Sequence, residues 1–80
     1  MKIYDEHQVL QQMVCNRCEK KLFVDNGLLK DSAYEGSQTF GYFSKRDGVT
    51  HRFDLCEECY EEWIRMFRIP VSETENAEII

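Results

Sequence analysis

The sharpest pattern of apolar and polar positions lies near the end of the chain. From Cys56, apolar residues recur at Cys59, Tyr60, Trp63, Ile64 and Phe67, spacings of three and four that place them on one face of an α-helix. Glu58, Glu61, Glu62 and Arg65 fall mostly on the opposite side. Asp54, three residues ahead of Glu57, has the form of an N-terminal cap with a reciprocal acid. Pro70 is placed to stop the helix about where the apolar pattern ends.

Upstream the period changes. The stretch "TFGYFSKRDGVTHRFDL" sets aromatic and β-branched residues on both sides of Ser44–Gly48. That pattern predicts a β-hairpin, with Gly48 suited to the left-handed position of its loop. Leu22-Phe23-Val24 and Leu28-Leu29 flank Asp25-Asn26-Gly27 and predict an earlier hairpin, because Asn-Gly supplies the two positive φ angles of a type I′ turn. Residues 30–38 are polar and read as a loop. Residues 1–12 carry only isolated Ile3, Val9 and Leu10 and fit a short helix or a short strand equally. Beyond Pro70, "VSETENAEII" has Glu73, Glu75 and Glu78 and no base. It reads as an acidic, mobile tail over 71–80, with docking of Ile79 and Ile80 as the alternative, so that 1–70 form a single domain.

Length makes this a stability problem. A chain of 80 residues buries only about 60–65% of the surface its unfolded form exposes, and domains of this size usually add a disulfide, a metal or a partner. An apolar content of 42% is too high for a disordered chain, so folding is expected. The staple is then sought among four cysteines: Cys15, Cys18, Cys56 and Cys59. The start "MKIYDEHQVLQQ" has no secretory pattern, and no apolar run reaches the roughly 18–20 residues of a membrane span. The expected compartment is the cytoplasm, where thiols favour metal over disulfide.

The cysteines form two Cys-x-x-Cys pairs, "CNRC" and "CEEC", with 37 residues between Cys18 and Cys56. Each pair can wrap a tight knuckle around one ion, and two knuckles supply the tetrahedral four-sulfur shell that Zn²⁺ prefers. The intervening stretch exceeds the common spacing of about 15–20, and two hairpins would fill it. The expectation is one structural Zn²⁺ held by Cys15, Cys18, Cys56 and Cys59; two disulfides, redox-active dithiols or a bound iron are the alternatives. Cysteines in the first turn of a helix also make chemical sense, because unpaired N–H groups and partial positive charge there stabilise thiolates. A knuckle, a hairpin and a second ligand pair on a helix's first turn make a treble clef. The expected fold class is small α+β, a zinc-stapled treble clef or zinc ribbon with one or two β-hairpins and a C-terminal helix.

The run "CNRC … GYFSKRDGVTHRFDLCEECYEEW" resembles a family of small, poorly characterised bacterial zinc-ribbon proteins over residues 13–70, most distinctively in "FSKRDG…FDLCEECY". A looser likeness is to the zinc-binding domain at the front of the Clp-type unfoldase, whose second cysteine pair also opens an acidic helix. That module dimerises and binds client or adaptor proteins, which the resemblance extends to this chain as an expectation; its cysteine pairs are closer together than these. Rubredoxins share two knuckles but place glycine after each pair, where Glu19 and Tyr60 stand here.

Few other residues carry chemistry. No His-Glu-x-x-His pair, phosphate-cradling glycine loop or nucleophile elbow occurs, and a zinc saturated by four thiolates has no position for a reacting water. A non-enzyme is expected. His51 is read as a solvent-facing strand residue, with ligation as the alternative; Trp63 as cover for the knuckle, with a contact anchor as the alternative. The net charge of −5 argues against broad phosphate binding. The leading function is therefore a protein-interaction adaptor or regulator, with a homodimer packed through Trp63, Ile64, Met66, Phe67 and Ile69 as a further expectation. The runner-up is weak nucleic-acid binding through the 44–52 hairpin, with Lys45, Arg46 and Arg52 on phosphates. A thiol redox or zinc-release sensor is third. The acids Glu57–Glu62 read as a solvated helix face or as a surface for a basic partner.

Overall fold

The computed structural model describes residues 1–76 and is α+β. The strands are β1 (Lys2–Tyr4), β2 (Leu10–Val14), β3 (Lys21–Leu22), β4 (Val24–Asp25), β5 (Leu28–Leu29), β6 (Ala33–Thr39) and β7 (Thr50–Cys56), and one helix follows, α1 (Glu57–Arg65). They make three small antiparallel sheets: β1-β2-β3, β4-β5 and β6-β7.

The first twelve residues are strand rather than helix. β1 pairs with β2 from Lys2↔Met13 to Tyr4↔Leu10, and Asp5 makes the turn between them. Its carboxylate accepts from the backbone N–H groups of His7 and Val9 at 2.8 and 3.0 Å, an Asx-type replacement for ladder bonds. The Asn26-Gly27 hairpin forms as the turn chemistry requires: Val24 pairs with Leu29, Asp25 with Leu28, and both turn residues have positive φ, 55° and 78°.

Of residues 30–38, only 30–32 are loop. Ala33–Thr39 form β6, paired with β7 through seven positions from Ala33↔Cys56 to Thr39↔Thr50. The strand of the second hairpin thus runs earlier than the aromatic run "TFGYF" suggested. That run instead starts a coiled tip, where Ser44, Asp47 and Val49 N–H groups bond to the Gly41, Ser44 and Arg46 carbonyls. Gly48, at φ 83°, supplies the left-handed residue there. Gly36 faces Phe53 across the ladder, and the Phe53 and Tyr34 rings lie over it; an added Cβ would stand 2.9 Å from Tyr34 Cε2 and 3.0 Å from Phe53 Cζ.

Two details of the helix also differ from expectation. Its N-cap is Cys56, which makes no side-chain cap bond, because the Asp54 carboxylate is engaged elsewhere. Asp54 is buried and accepts from the Met1 α-amino group at 2.7 Å and from Lys2 Nζ at 2.6 Å. Burial alone would raise its pKa, but those bonds and charges outweigh it and the carboxyl sits below its ordinary value. At the other end the helix stops at Arg65, and the Met66 and Phe67 N–H groups turn back to the Trp63 and Ile64 carbonyls. Pro70 acts one turn ahead of itself, since a proline ring clashes with the carbonyl four residues back, here Met66. Residues 71–76 have no regular structure and are exposed; Glu78, Ile79 and Ile80 lie outside the described residues.

The buried hydrophobic cluster is Met13, Cys15, Leu22, Leu55, Cys56 and Cys59, half of it cysteine. Val24, Leu29, Ala33, Phe53, Tyr60 and Trp63 pack around it. Gly36→Ala is expected to lower the unfolding free energy of the metal-loaded protein by about 1–3 kcal/mol, the usual effect of overpacking, read by denaturant titration. An unchanged midpoint would mean that Tyr34 and Phe53 swing aside freely.

Candidate metal centre

Each cysteine pair is positioned by the end of a strand. Cys15 directly follows β2, where the chain turns through Asn16 and Arg17 to Cys18. The Glu19 N–H donates to the Cys15 carbonyl at 2.9 Å, the Cys18 N–H approaches Cys15 Sγ at 3.5 Å, and Glu19 takes φ 66° to bring the chain back into β3. This is a knuckle. Cys56 closes β7 and Cys59 lies in the first turn of α1. The Sγ atoms of all four lie within 4.8 Å of one another, with Cys15, Cys56 and Cys59 buried and Cys18 exposed.

Asn16 brings the two halves together. Its N–H donates to the Asp54 carbonyl at 2.7 Å, and its Oδ1 accepts from the Asp54 N–H at 2.9 Å. The first knuckle therefore docks on the edge of β7, two residues before Cys56. Outside, two ion pairs tie the knuckle to the helix: Arg17 to Glu62, and Lys20 to Glu58 at 3.1 Å. Glu58 and Glu62, among the acids expected to be a solvated face or a basic partner's surface, are thus engaged within the chain. The signal in the sequence is that an ion shared by the two cysteine pairs would bring Arg17 and Lys20, which bracket Cys18, against the helix carrying Cys59.

The thiols disturb one another. Burial would raise Cys15, but N–H donors from Cys18, Cys56 and Arg17 outweigh it and hold it at about 6. Arg17 pulls Cys59 down, yet burial and hydrogen bonds shared with the other three thiols prevail and push it up to about 12. Cys18 is also raised: the Lys20 N–H lowers it, but burial and the Cys15 and Cys56 thiols prevail. Without a cation these thiols resist ionising together; a coordinated metal ion removes that conflict, since coordination deprotonates a thiol outright. One sulfur pair meets the geometric requirement closely. Tetrahedral metal–sulfur bonds of about 2.3 Å require sulfurs about 3.8 Å apart, and Cys18 Sγ stands 3.7 Å from Cys56 Sγ.

The remaining predicted residues lie elsewhere. His51 is exposed on β7, its ring edge-on to Phe40 at 5.2 Å. Trp63 is half-buried in a run of rings formed with Tyr34, Phe53, Tyr60 and Phe67. Phe53, Leu55, Trp63, Met66 and Arg17 line a shallow cavity of about 240 Å³. The three predicted cations do not form one patch. Lys45 and Arg46 sit on the hairpin tip, Arg46 over the Phe40 ring at 5.9 Å. Arg52 lines a groove beside Lys2, Tyr4 and Glu35. Comparison with family models, with characterised proteins and with solved structures finds no match for this chain. Among the described residues, no helix is long and apolar enough to cross a membrane.

Asn16→Ala is expected to leave the metal stoichiometry at one per chain but to speed metal loss to a chelator. It should also cost about 1–3 kcal/mol, because the Asp54 N–H loses its partner in a buried position. Arg17→Ala should cost less than Asn16→Ala, since both partners are about half exposed and water screens the pair. Loss rates that follow Arg17 rather than Asn16 would show that the ion pair, not the amide, seats the knuckle.

Proposed function

We propose that Cys15, Cys18, Cys56 and Cys59 hold one structural Zn²⁺ in a treble-clef arrangement, and that the protein is a non-catalytic adaptor or regulator that binds other proteins in the cytoplasm. The observation that carries the first half is the donor set: four sulfurs within 4.8 Å of one another, one pair of them 3.7 Å apart, the all-sulfur shell that Zn²⁺ favours in structural sites. Bound there, the ion would cross-link two chain segments and leave no position for substrate. Protein binding is supported by the apolar surface that the fold leaves uncovered. Met66, which lines the Trp63 cavity, is 72% exposed, Phe67, whose ring meets Trp63 edge-on, 42%, and Ile69 83%. Aromatic anchors beside such pockets are favoured contact points.

Nucleic-acid binding is the second reading, favoured by the exposed Tyr42 and Phe43 beside Lys45 and Arg46 on the tip. Rings offered next to cations suit stacking on unpaired bases. With Arg52 on the groove side, two cations remain, and a salt slope no steeper than about −2 is expected on duplex DNA.

Protein purified under reducing conditions should carry one zinc per chain by metal analysis. Chelation or Cys56→Ser should abolish the cooperative melt, since zinc binding worth about 10–16 kcal/mol in finger peptides exceeds what so small a core supplies. Iron in the purified protein, or a metal-free form that melts unchanged, would overturn the zinc assignment. For the adaptor, a tagged chain should retain a stoichiometric protein partner that Met66→Glu with Ile69→Glu releases. Retention of nucleic acid instead, lost with Lys45→Glu and Arg46→Glu, would favour the second reading.

A further inference from the structure

The hairpin of β6 and β7 has one edge that no strand of the described residues pairs with. The Phe40 N–H donates to the Val49 carbonyl at 2.9 Å, which sets the phase of the ladder. In an antiparallel pair, hydrogen-bonded and non-bonded positions alternate. Gln38, Gly36 and Tyr34 therefore bond to β7, while Ala33, Glu35, Ser37 and Thr39 turn their N–H and C=O groups outward. The same phase on β7 turns Asp54 outward, and there Asn16 takes up both of its groups. On the β6 side no neighbouring strand pairs with it among the described residues. A seven-residue open edge is long for a native protein, since exposed edges template pairing with another chain.

The two ends of this hairpin differ in chemistry. At the tip, Phe43 is 98% and Tyr42 81% exposed, and Lys45 and Arg46 have no ion-pair partner among the described residues. At the base, Ala33, Tyr34, Tyr60, Glu57 and Glu61 line a cavity of about 230 Å³. Its floor is the Tyr34–Tyr60 stack, centroids 5.0 Å apart, and neither acid has an ion-pair partner among the described residues. Tip and base are separated by the seven-pair ladder, about 20 Å at the usual strand rise, so one hairpin cannot bring them together.

A second copy can. We propose that the chain forms a two-fold dimer in which β6 pairs antiparallel with β6 of a second copy, making a continuous four-stranded sheet. Antiparallel pairing about Gly36 sets Ala33 opposite Thr39 and Glu35 opposite Ser37, and uses every outward position of the strand. A two-fold axis normal to the sheet keeps both helices on one side of it. Arg46, over Phe40, lies on that side too. Each basic, aromatic tip then reaches the acidic, tyrosine-floored cavity of the other copy. The contact is self-complementary and closed, as a two-fold interface must be, and the attachment is strand addition through main-chain bonds. It leaves Met66, Phe67 and Ile69 free, differs from a dimer packed through the helix, and does not depend on the adaptor reading.

The test uses the full metal-loaded chain in sedimentation across a concentration series. Reversible dimerisation is expected, weakening with added salt. Ser37→Pro removes an outward N–H while leaving the bonds to β7, the situation in which an edge strand tolerates proline, and should give a monomer with unchanged metal content and circular dichroism. Lys45→Glu with Arg46→Glu should weaken the dimer at least about tenfold, as should Glu57→Lys with Glu61→Lys. A mixture of those two double variants should dimerise again, because both tip-to-cavity contacts are then opposite in sign. If Ser37→Pro loses its metal, the charge-reversal pair decides alone. In amide exchange, the Glu35 and Ser37 N–H groups should be slow only where the dimer predominates. A chain that stays monomeric, a dimer indifferent to these changes, or β6 amides that exchange freely within the dimer would overturn the proposal, as would a monomer that takes up a foreign peptide along β6.

Discussion

Everything else in this fold hangs on bringing four sulfurs from opposite ends of the sequence within 4.8 Å of one another. The apolar core does not exist apart from that convergence. Its buried members are Met13, Leu22 and Leu55 together with three of the cysteines, so apolar burial and ligand assembly happen at the same place. Met13 and Leu22 sit on paired strands beside the first knuckle, and Leu55 precedes Cys56. A chain of this size has little interior to spare. Much of its polar bonding is therefore spent on docking one knuckle against the strand that leads to the other, through Asn16, Asp54, the Met1 α-amino group and Lys2.

Legibility in the sequence follows the range of the interaction that fixes each element. The Asn26-Gly27 turn, the helix beginning among Cys56–Cys59 and the identity of the four sulfur residues could all be read locally, because each rests on spacing or on backbone freedom within a few residues. β6 could not. Its residues "AYEGSQT" lack a clean alternation, and Gly36 weakens any strand reading; they are extended because β7 pairs with them seven times and because the Phe53 ring needs a bare position to cover. The Asp54 cap failed for a related reason. Asp-x-x-Glu is a local signature, but tertiary partners more than fifty residues away in sequence outbid the helix N–H groups for the carboxylate. Arg52 was grouped with Lys45 and Arg46 by nearness in sequence, whereas strand alternation turns it to the groove beside Lys2.

The distribution of charge separates what the metal centre explains from what it does not. Four thiolates around one divalent ion would leave a local surplus of negative charge, which nearby cations would offset. Arg17 and Lys20 stand where they would do so, and each pairs with an acid on the helix. Lys45 and Arg46 do nothing of the kind, standing at the far end of the β6–β7 ladder from the sulfurs. Tyr42 and Phe43 beside them touch chiefly each other, edge to face at 5.2 Å. Large apolar side chains that exposed contribute nothing to a monomer's core, and clustering them marks a contact surface. In a chain of net charge −5, placing two bases with no ion-pair partner among the described residues next to the two most exposed tip aromatics creates a local sign opposite to the whole. That contrast favours an acidic, ring-bearing surface as the counterpart, and the base of the same hairpin is such a surface.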